Sequence, residues 1–376
     1  MESAESYNVG LPLLSLSDKP VSFFEFWPAW VLYIPIGLYW VLLSLRYRSF
    51  GLPMAVNPNI ALGGMVGESK YEILEQGGDL AQSYILPYVI RDQHHDASLH
   101  NCDETLLRHV ENDLIAAKEK GISFPFIVKP ELGCRGAGVQ VISSGDELLQ
   151  YLRGFPQDRR YLLQELAPYS AEAGIFYERF PGKNGGQVTS VTLKYRPTVI
   201  GDGKKSIKSL ILSDPRASVL REQYLEKNND RLHVIPKADE EIALAFAGSH
   251  CRGSIFRNGN EYITDTLTKK IDEIMLDFPD FYYGRLDIKF KDIASLSDGN
   301  NFVIIEVNGV SSEKTHIWDS RTSLFEAFST LFEQYTTLFK MGYAMRELGY
   351  KIPSIRVLIK TWWQELQRSN TYPSTD

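Results

Sequence analysis

The chain has 376 residues, more than one ordinary compact domain uses, so it implies two domains or one elaborated α/β enzyme with attachments. Hydrophobic residues at 44% and charged residues at 23% sit near globular averages, which excludes disordered, collagen-like and disulfide-scaffold classes. With 40 basic against 47 acidic residues the net charge is −7, a poor match to an extended phosphate backbone, so no nucleic acid partner is expected.

The first informative segment is 26–45, FWPAWVLYIPIGLYWVLLSL, twenty residues without a charge. At the helical rise that length just crosses a hydrocarbon core of roughly 30 Å. Acidic Glu2, Glu5, Asp18 and Glu25 precede it and Arg46 and Arg48 follow, a bias that puts the downstream chain in the cytoplasm. A basic n-region and a small-residue cleavage site are both missing, which argues against a cleavable signal peptide. Pro35 falls mid-run, and Trp27, Trp30, Tyr33, Tyr39 and Trp40 are spread along the segment. A bent helix lying in one leaflet therefore competes with a full span, and a buried helical hairpin of a soluble domain is the third reading.

Residues 51–70 are rich in Gly, Pro and Asn and read as an irregular connector. A helix is expected over Tyr71–Gln82 and a short strand at 84–90. Asp103–Lys120 forms an amphipathic helix with Leu106, Leu107, Val110, Leu114 and Ile115 on one face, ended by Gly121. Strands follow at 124–130 and 139–142, joined by the glycine-rich GCRGAG (133–138), then a helix over Asp146–Leu152 and a strand at 161–166. After a hairpin-rich middle, 281–290 (FYYGRLDIKF) and 302–308 (FVIIEVN) are the two best strands, and the chain is helical in pattern from Thr322. Alternating strands and helices with several hairpins predict an α+β or mixed α/β class with antiparallel sheet.

The tail, 340–368, carries six basic residues against Glu347 and Glu365, a local +4 that leaves −11 on the rest. Leu338, Tyr343, Leu348, Ile355, Leu358, Trp362 and Trp363 interleave with those charges. Such a helix either lies on an anionic leaflet or packs on the domain and shows a solvated basic face.

The residues that carry chemistry cluster in three places. The GCRGAG glycines are followed by a strand instead of a helix, which excludes a dinucleotide-binding turn and makes the loop a β-hairpin. It is either a lid offering backbone N–H groups to phosphates, with Lys129 in reach, or an ordinary flexible hairpin with an exposed lysine. In GRLDIKF the period of two puts Arg285, Asp287 and Lys289 on one face. In FVIIEVN it puts Glu306 and Asn308 on one face and Val303, Ile305 and Val307 on the other. A carboxylate in such apolar sequence must be paired or metal-bound. The oxygens of Asp287, Glu306 and Asn308 suit magnesium, and a cross-strand salt bridge from Arg285 to one acid is the alternative.

Together these segments resemble the ATP-grasp superfamily of carboxylate–amine ligases, such as D-alanine–D-alanine ligase and the ATP-grasp part of cyanophycin synthetase. The resemblance runs from about Gly67 to Asp319. SKYEILEQGGDLAQSYILPYVI is similar to the family's first-lysine segment, with Lys70 as that lysine, and FPFIVKPELGCRGAGV to its second-lysine strand and lid, with Lys129, Gly133, Gly136 and Gly138. YLLQELAPYSAE resembles the adenine hinge, where Gln164, Glu165 and Ala167 would line the base and Glu172 would bind ribose. RPTVIGDGKKSIKSLI resembles the cyanophycin-synthetase segment, including Arg196, and CRGSIF would bring Arg252 to the phosphates. GRLDIKF and IIEVN are similar to the metal-binding pair, which makes Asp287, Glu306 and Asn308 the metal ligands and Arg285 the oxyanion arginine.

The resemblance implies an ATP-grasp fold of two α+β lobes over residues 51–320. A polar tail (1–20) and a membrane-associated segment (21–50) precede it, and a helical extension (321–376) follows. It implies ATP with magnesium or manganese, a small-molecule or lipid-linked acid and amine as substrates, and membrane lipid as a partner; a homo-oligomer is left open. Ligation through an acyl phosphate is the expected chemistry; an ATP-grasp kinase or a non-catalytic nucleotide-binding scaffold are the alternatives. The chain departs from the family after Asn308, where GVSSEKTHIWD (309–319) replaces the usual Pro-Gly and puts the amine substrate in doubt. Three cysteines, Cys102, Cys134 and Cys251, form no CxxC and suit free thiols, with Cys134 a small lid residue. His94, His95 and Asp96 read as a solvated loop, and His316 as either a substrate contact or a packed histidine.

Overall fold

The computed structural model describes residues 7–15, 19–93, 103–133, 136–246, 248, 250–369 and 372. Cys102, Cys134 and the His94-His95-Asp96 run lie outside the described residues.

The apolar segment forms helix α1 (Ala29–Tyr47), entered at Pro28 and continuing through Pro35. The connector that follows is well packed, contrary to its composition. It makes two 3-10 turns, Leu52–Ala55 and Ala61–Gly64, and buries Leu52, Met54, Val56 and Asn57. Asn57 accounts for this: its amide donates to the carbonyls of Gly63 and Tyr283 and accepts from the N–H groups of Tyr282 and Tyr283. A buried amide satisfied on every side holds an irregular backbone in place without a ladder.

The expected helix over 71–82 is two short ones, α2 (Lys70–Leu74) and α3 (Asp79–Tyr84), because Gly77-Gly78 interrupts it. Then come β1 (Tyr88–Asp92), α4 (Asp103–Glu119), β2 (Phe126–Pro130), β3 (Gln140–Ile142), α5 (Gly145–Gly154) and β4 (Arg160–Glu165). These strands make an antiparallel sheet in the order β1-β4-β2-β3. One apolar core joins it to α4 and α5 through Leu106, Val110, Phe126, Leu148, Tyr161 and Leu163. This is the smaller lobe.

The chain crosses at 166–170 into β5 (Ala171–Glu178) and β6 (Gln187–Tyr195), then β7 (Thr198–Ile200), α6 (Ile207–Ser213), α7 (Arg221–Lys227) and β8 (Glu241–Ala243). β7 and β8 pair into a ribbon with its own small core against α6 and α7. β9 (Ile255–Asn258), α8 (Asp265–Leu276), β10 (Tyr283–Phe290), α9 (Ile293–Ser297) and β11 (Phe302–Asn308) complete the larger lobe. Its sheet is antiparallel in the order β11-β10-β5-β6-β9, and α2, α3 and α8 contribute to the core on its back. The expected α+β class with antiparallel sheet is what the chain adopts.

One detail of β11 departs from strict alternation. Asp287 pairs with Glu306 but Ile288 pairs with Ile304, so Ile305 is the extra residue of a β-bulge. Phe302, Ile304 and Val307 are buried, while Val303 and Ile305 are only half-buried. The expected apolar face of Val303, Ile305 and Val307 is thus broken at the bulge, which changes the side of every residue before it.

The C-terminal part is two helices, α10 (Leu324–Glu347) and α11 (Ile355–Ser369). Ser323 starts α10 with a complete capping box to Glu326. α1 lies along α10 by one face: Leu32, Ile36 and Leu43 are buried, Trp40 meets Tyr335 and Phe339 edge-on, and Tyr39 shares a hydrogen bond with Thr336.

Candidate active site

The β10–β11 hairpin sets Arg285 opposite Asn308 and Asp287 opposite Glu306 on one face. The two carboxylates are directly cross-strand, within the reach of one ion. Gly174 on β5 stands opposite Asp287, and the Arg285 side chain fills the space above it. A Cβ there would lie 2.9 Å from Arg285 Cδ and 3.3 Å from Asp287 Oδ1.

Asp287 is buried and shared between Arg285, whose Nε donates at 2.9 Å, and Lys194 on β6, also at 2.9 Å. Burial alone would raise the Asp287 pKa, but these two cations outweigh it and hold it below the usual range. Lys194 also donates to Glu172 at 3.1 Å, and Glu172 receives Lys289 at 2.8 Å. Burial pushes Glu172 up, and the two lysines overcome that and hold it well below its ordinary value. The residue expected to bind ribose is therefore clamped between two ammonium groups. Lys194 was missed in the sequence, although Ser190, Thr192 and Lys194 alternate with buried Val191, Leu193 and Tyr195.

The two lysines of the resemblance reach the same hairpin from elsewhere. Lys129, on β2 of the smaller lobe, donates to Gln164 Oε1 at 2.8 Å and to the carbonyl of Ile305 at 3.0 Å. Its burial, only partly offset by Glu306, lowers its pKa to about 8. Lys70, the first residue of α2, lies 3.5 Å from Glu306 and donates to the Gly133 carbonyl at 2.5 Å. Ser69 caps α2 through the Glu72 N–H and donates to Glu131, which is held in turn by Arg160. This fixes the helix end that carries Lys70 to the base of the glycine loop. In that loop Gly136 and Gly138 have φ of 75° and 71°, backbone that favours glycine.

Gln164 and Glu165 end β4 at the crossing between lobes, with the Glu165 N–H donating to Pro87 and Ala167 two residues on. Gln164 is buried and spends its carbonyl oxygen on Lys129. Arg252 is in a 3-10 turn before β9, with β5 and β6 between that edge strand and β10.

A second missed residue is Glu68. It is half-buried behind the hairpin end and accepts the Gly309 N–H at 2.9 Å. Burial dominates and raises its pKa to about 7. Its setting in a glycine-rich connector gave no periodic signal. The segment after Asn308 is joined to that connector, since the N–H groups of Val310 and Ser311 donate to Gly63 and Gly64. His316 shares a hydrogen bond with Ser190 at 2.7 Å, and burial lowers its pKa to about 4. It lines a polar cavity of about 560 Å³ with Asn258, Glu261, Asp319 and Arg321. Ser190, Phe176 and Arg285 form one row across β6, β5 and β10, so the cavity opens two strands, roughly 10 Å, from Arg285.

Among the described residues no three His, Cys, Asp or Glu side chains gather as a metal cluster. Asp287, Glu306 and Asn308 are a two-carboxylate set of the size magnesium uses alongside substrate phosphates. The Asn308 amide has a buried Nδ2 without a partner. Amide O and N exchange by a flip of the side chain, so a lone ligand oxygen fits there equally well.

No protein-family model matches the chain, and no curated protein matches its sequence. Solved structures do. A D-alanine–D-alanine ligase from Bacillus anthracis aligns at 12% identity and a TM-score of 0.41, covering 77% of this chain and 72% of that one. A D-Ala:D-Ser ligase from Enterococcus faecalis aligns at 14% identity and 0.37, covering 73% and 62%. A bifunctional glutathione synthetase from Pasteurella multocida aligns at 13% identity and 0.35, covering 70% and 36%. The chain thus spans about a third of the glutathione synthetase.

Proposed function

We propose that the chain is an ATP-dependent carboxylate–amine ligase that works through an acyl phosphate beside a membrane. One observation carries the reading: Lys129 and Lys70, from outside the β10–β11 hairpin, converge on the strand of Glu306, whose cross-strand partner is Asp287. Two cations and two carboxylates meeting between two sheets is the charge pattern that a nucleoside triphosphate and its divalent ion require.

Magnesium or manganese would be held by Asp287, Glu306 and Asn308 and would neutralise phosphate charge when bound. Lys70 and Lys129 would hold phosphate oxygens, and Gly133, Gly136 and Gly138 would fold their backbone N–H groups over them. Gln164, Glu165 and Ala167 would border the base, with Glu172, kept ionised by its two lysines, an acceptor for ribose hydroxyls. A substrate carboxylate oxygen attacks the γ-phosphorus and ADP leaves. An amine nitrogen then attacks the acyl carbon, the C–O bond breaks, phosphate leaves with its electron pair, and the nitrogen loses a proton. Arg285 would stabilise the oxyanion between those events, a role worth roughly 10²–10³ in rate.

The test is product analysis on a metabolite and lipid extract with ATP. Asp287→Asn and Glu306→Gln should stop substrate-dependent ADP release while the fold is kept. Full turnover in both variants would refute the assignment, and a stable phosphorylated product without ligation would mark a kinase.

The membrane part rests on α1. One face packs along α10, whereas Trp30, Ile34, Leu38, Leu42 and Leu45 face outward, with Trp30 69% and Leu45 66% exposed. A helix flanked lengthwise by the protein body suits insertion into one leaflet, on the cytoplasmic side that the sequence charges favour, better than a span. Leu38→Glu combined with Leu42→Glu should move the protein from the membrane to the soluble fraction of a cell lysate. Unchanged sedimentation would remove this part of the reading.

A further inference from the structure

Helix α11 is amphipathic, yet it is turned the wrong way round for a helix of a soluble domain. The side chains it directs at the body are Leu358, Thr361 and Glu365, of which Glu365 accepts the Gly67 N–H at 2.9 Å and Thr361 lies against Gly67. Its apolar stripe, Ile355, Ile359, Trp362, Trp363 and Leu366, recurs at helical spacing and points outward. Ile359 is 58%, Trp362 50% and Trp363 60% exposed. A surface helix ordinarily buries that stripe, and an outward one marks an interaction surface.

Charge and position identify what covers it. Arg356 and Lys360 are exposed and flank the stripe on the side away from the body. Ile352, three residues before the helix, packs against the cluster of Leu43, Leu52 and Phe339, so α11 starts near the C-terminal half of α1, beyond which Arg46 and Arg48 are also exposed. The two helices are therefore neighbours at these ends, with exposed arginines and lysines around them in a protein of net charge −7. A basic fringe on an acidic protein fits an anionic surface, and Trp rings with flanking basic residues fit the zone between headgroups and acyl chains.

We propose that α11 lies in the plane of an anionic leaflet, its stripe in the acyl–headgroup boundary and Arg356 and Lys360 against lipid phosphates. This goes beyond the membrane contact of α1 and does not depend on the reaction. Its consequence for the site is positional. Glu365 holds Gly67 beside Glu68 and Lys70, and Tyr372, just past the helix, stacks on Phe155 and lies over Gly133 and Gly138, where an added Cβ would meet it at 3.5 Å. Both margins of the cleft are thus attached to the segment that meets the leaflet.

The experiment uses the full chain and vesicles of phosphatidylcholine, with or without phosphatidylglycerol, carrying brominated acyl chains. Bromine should quench the wild type more than the Trp362→Phe/Trp363→Phe variant, the difference being the emission of those two indoles. Arg356→Gln with Lys360→Gln should lower partition onto the anionic vesicles about thirtyfold and leave partition onto pure phosphatidylcholine unchanged. Equal quenching in wild type and the Trp variant overturns the proposal, as does a charge variant that partitions onto the anionic vesicles as well as the wild type does. So does a wild-type dimer, without vesicles, that Trp362→Glu/Trp363→Glu converts to monomer, since a second copy then owns the stripe. Circular dichroism melting of each variant separates these outcomes from misfolding.

Discussion

Lys129 of the smaller sheet donates its ammonium to the carbonyl of Ile305 on the larger one, 3.0 Å away. Ile305 is the bulged residue of β11, and a bulge removes its residue from regular pairing. The irregularity that breaks the apolar alternation of the strand is therefore also what meets a lysine from the opposite lobe. A hinge motion that separated the lobes would break this contact.

That lysine should behave as a proton acceptor when phosphate arrives. Burial holds its pKa at about 8, so near pH 8.5 a large share of it is neutral. Phosphate oxygens favour the charged form and should raise the pKa again. ATP binding at pH 8–9 is expected to take up a proton, seen by calorimetry as a binding enthalpy that varies with the ionisation enthalpy of the buffer. Lys129→Met should remove that dependence and weaken binding; an unchanged dependence would assign the proton elsewhere.

Glu68 gives a stability signature of opposite kind. Its folded pKa, about 7, lies above the ordinary 4.5, so folding binds extra proton between those values. Stability from this group is complete below about pH 4.5 and is lost as pH rises through 7. Glu68→Gln keeps an acceptor for the Gly309 N–H and removes the titration. The melting temperature of the variant relative to wild type should climb from pH 5 to pH 7.5, and a difference that stays flat would show that Glu68 is not the titrating group.

The sequence made the hairpin of Arg285, Asp287, Glu306 and Asn308 legible because period-2 alternation places those residues on one face whatever else the chain does. Lys70 and Lys129 were legible by resemblance. Three things were not. The bulge at Ile305 has no residue signature, since neither Gly nor Pro marks it. Lys194 sits in a well-alternating strand, but nothing local says that β6 lies one strand from β5 and two from β10, which is what brings it to Asp287. The orientation of α11 was open because composition shows two faces and only tertiary packing decides which one the body takes.

Gly174 offers the most direct check on how the arginine is held. It stands opposite Asp287 on β5, and the space above its Cα is filled by the Arg285 side chain, with Cδ 2.9 Å from a Cβ built there. That is too close for a methyl group, so Gly174→Ala must move the arginine or the strand. The far end of Arg285 is the more pliable of the two, and its hydrogen bonds to Asp287, at 2.9 and 3.2 Å, are what would be lost. With Asp287 still paired to Lys194, the fold should survive with a loss of only about 1–3 kcal/mol, typical of an overpacked position. Turnover should fall much further, by roughly 10²–10³, if Arg285 stabilises the transition state. ADP release and urea unfolding measured on the same preparation decide it: equal losses in both would make Gly174 a packing residue only, whereas a rate loss far beyond the stability loss places the arginine in the chemistry.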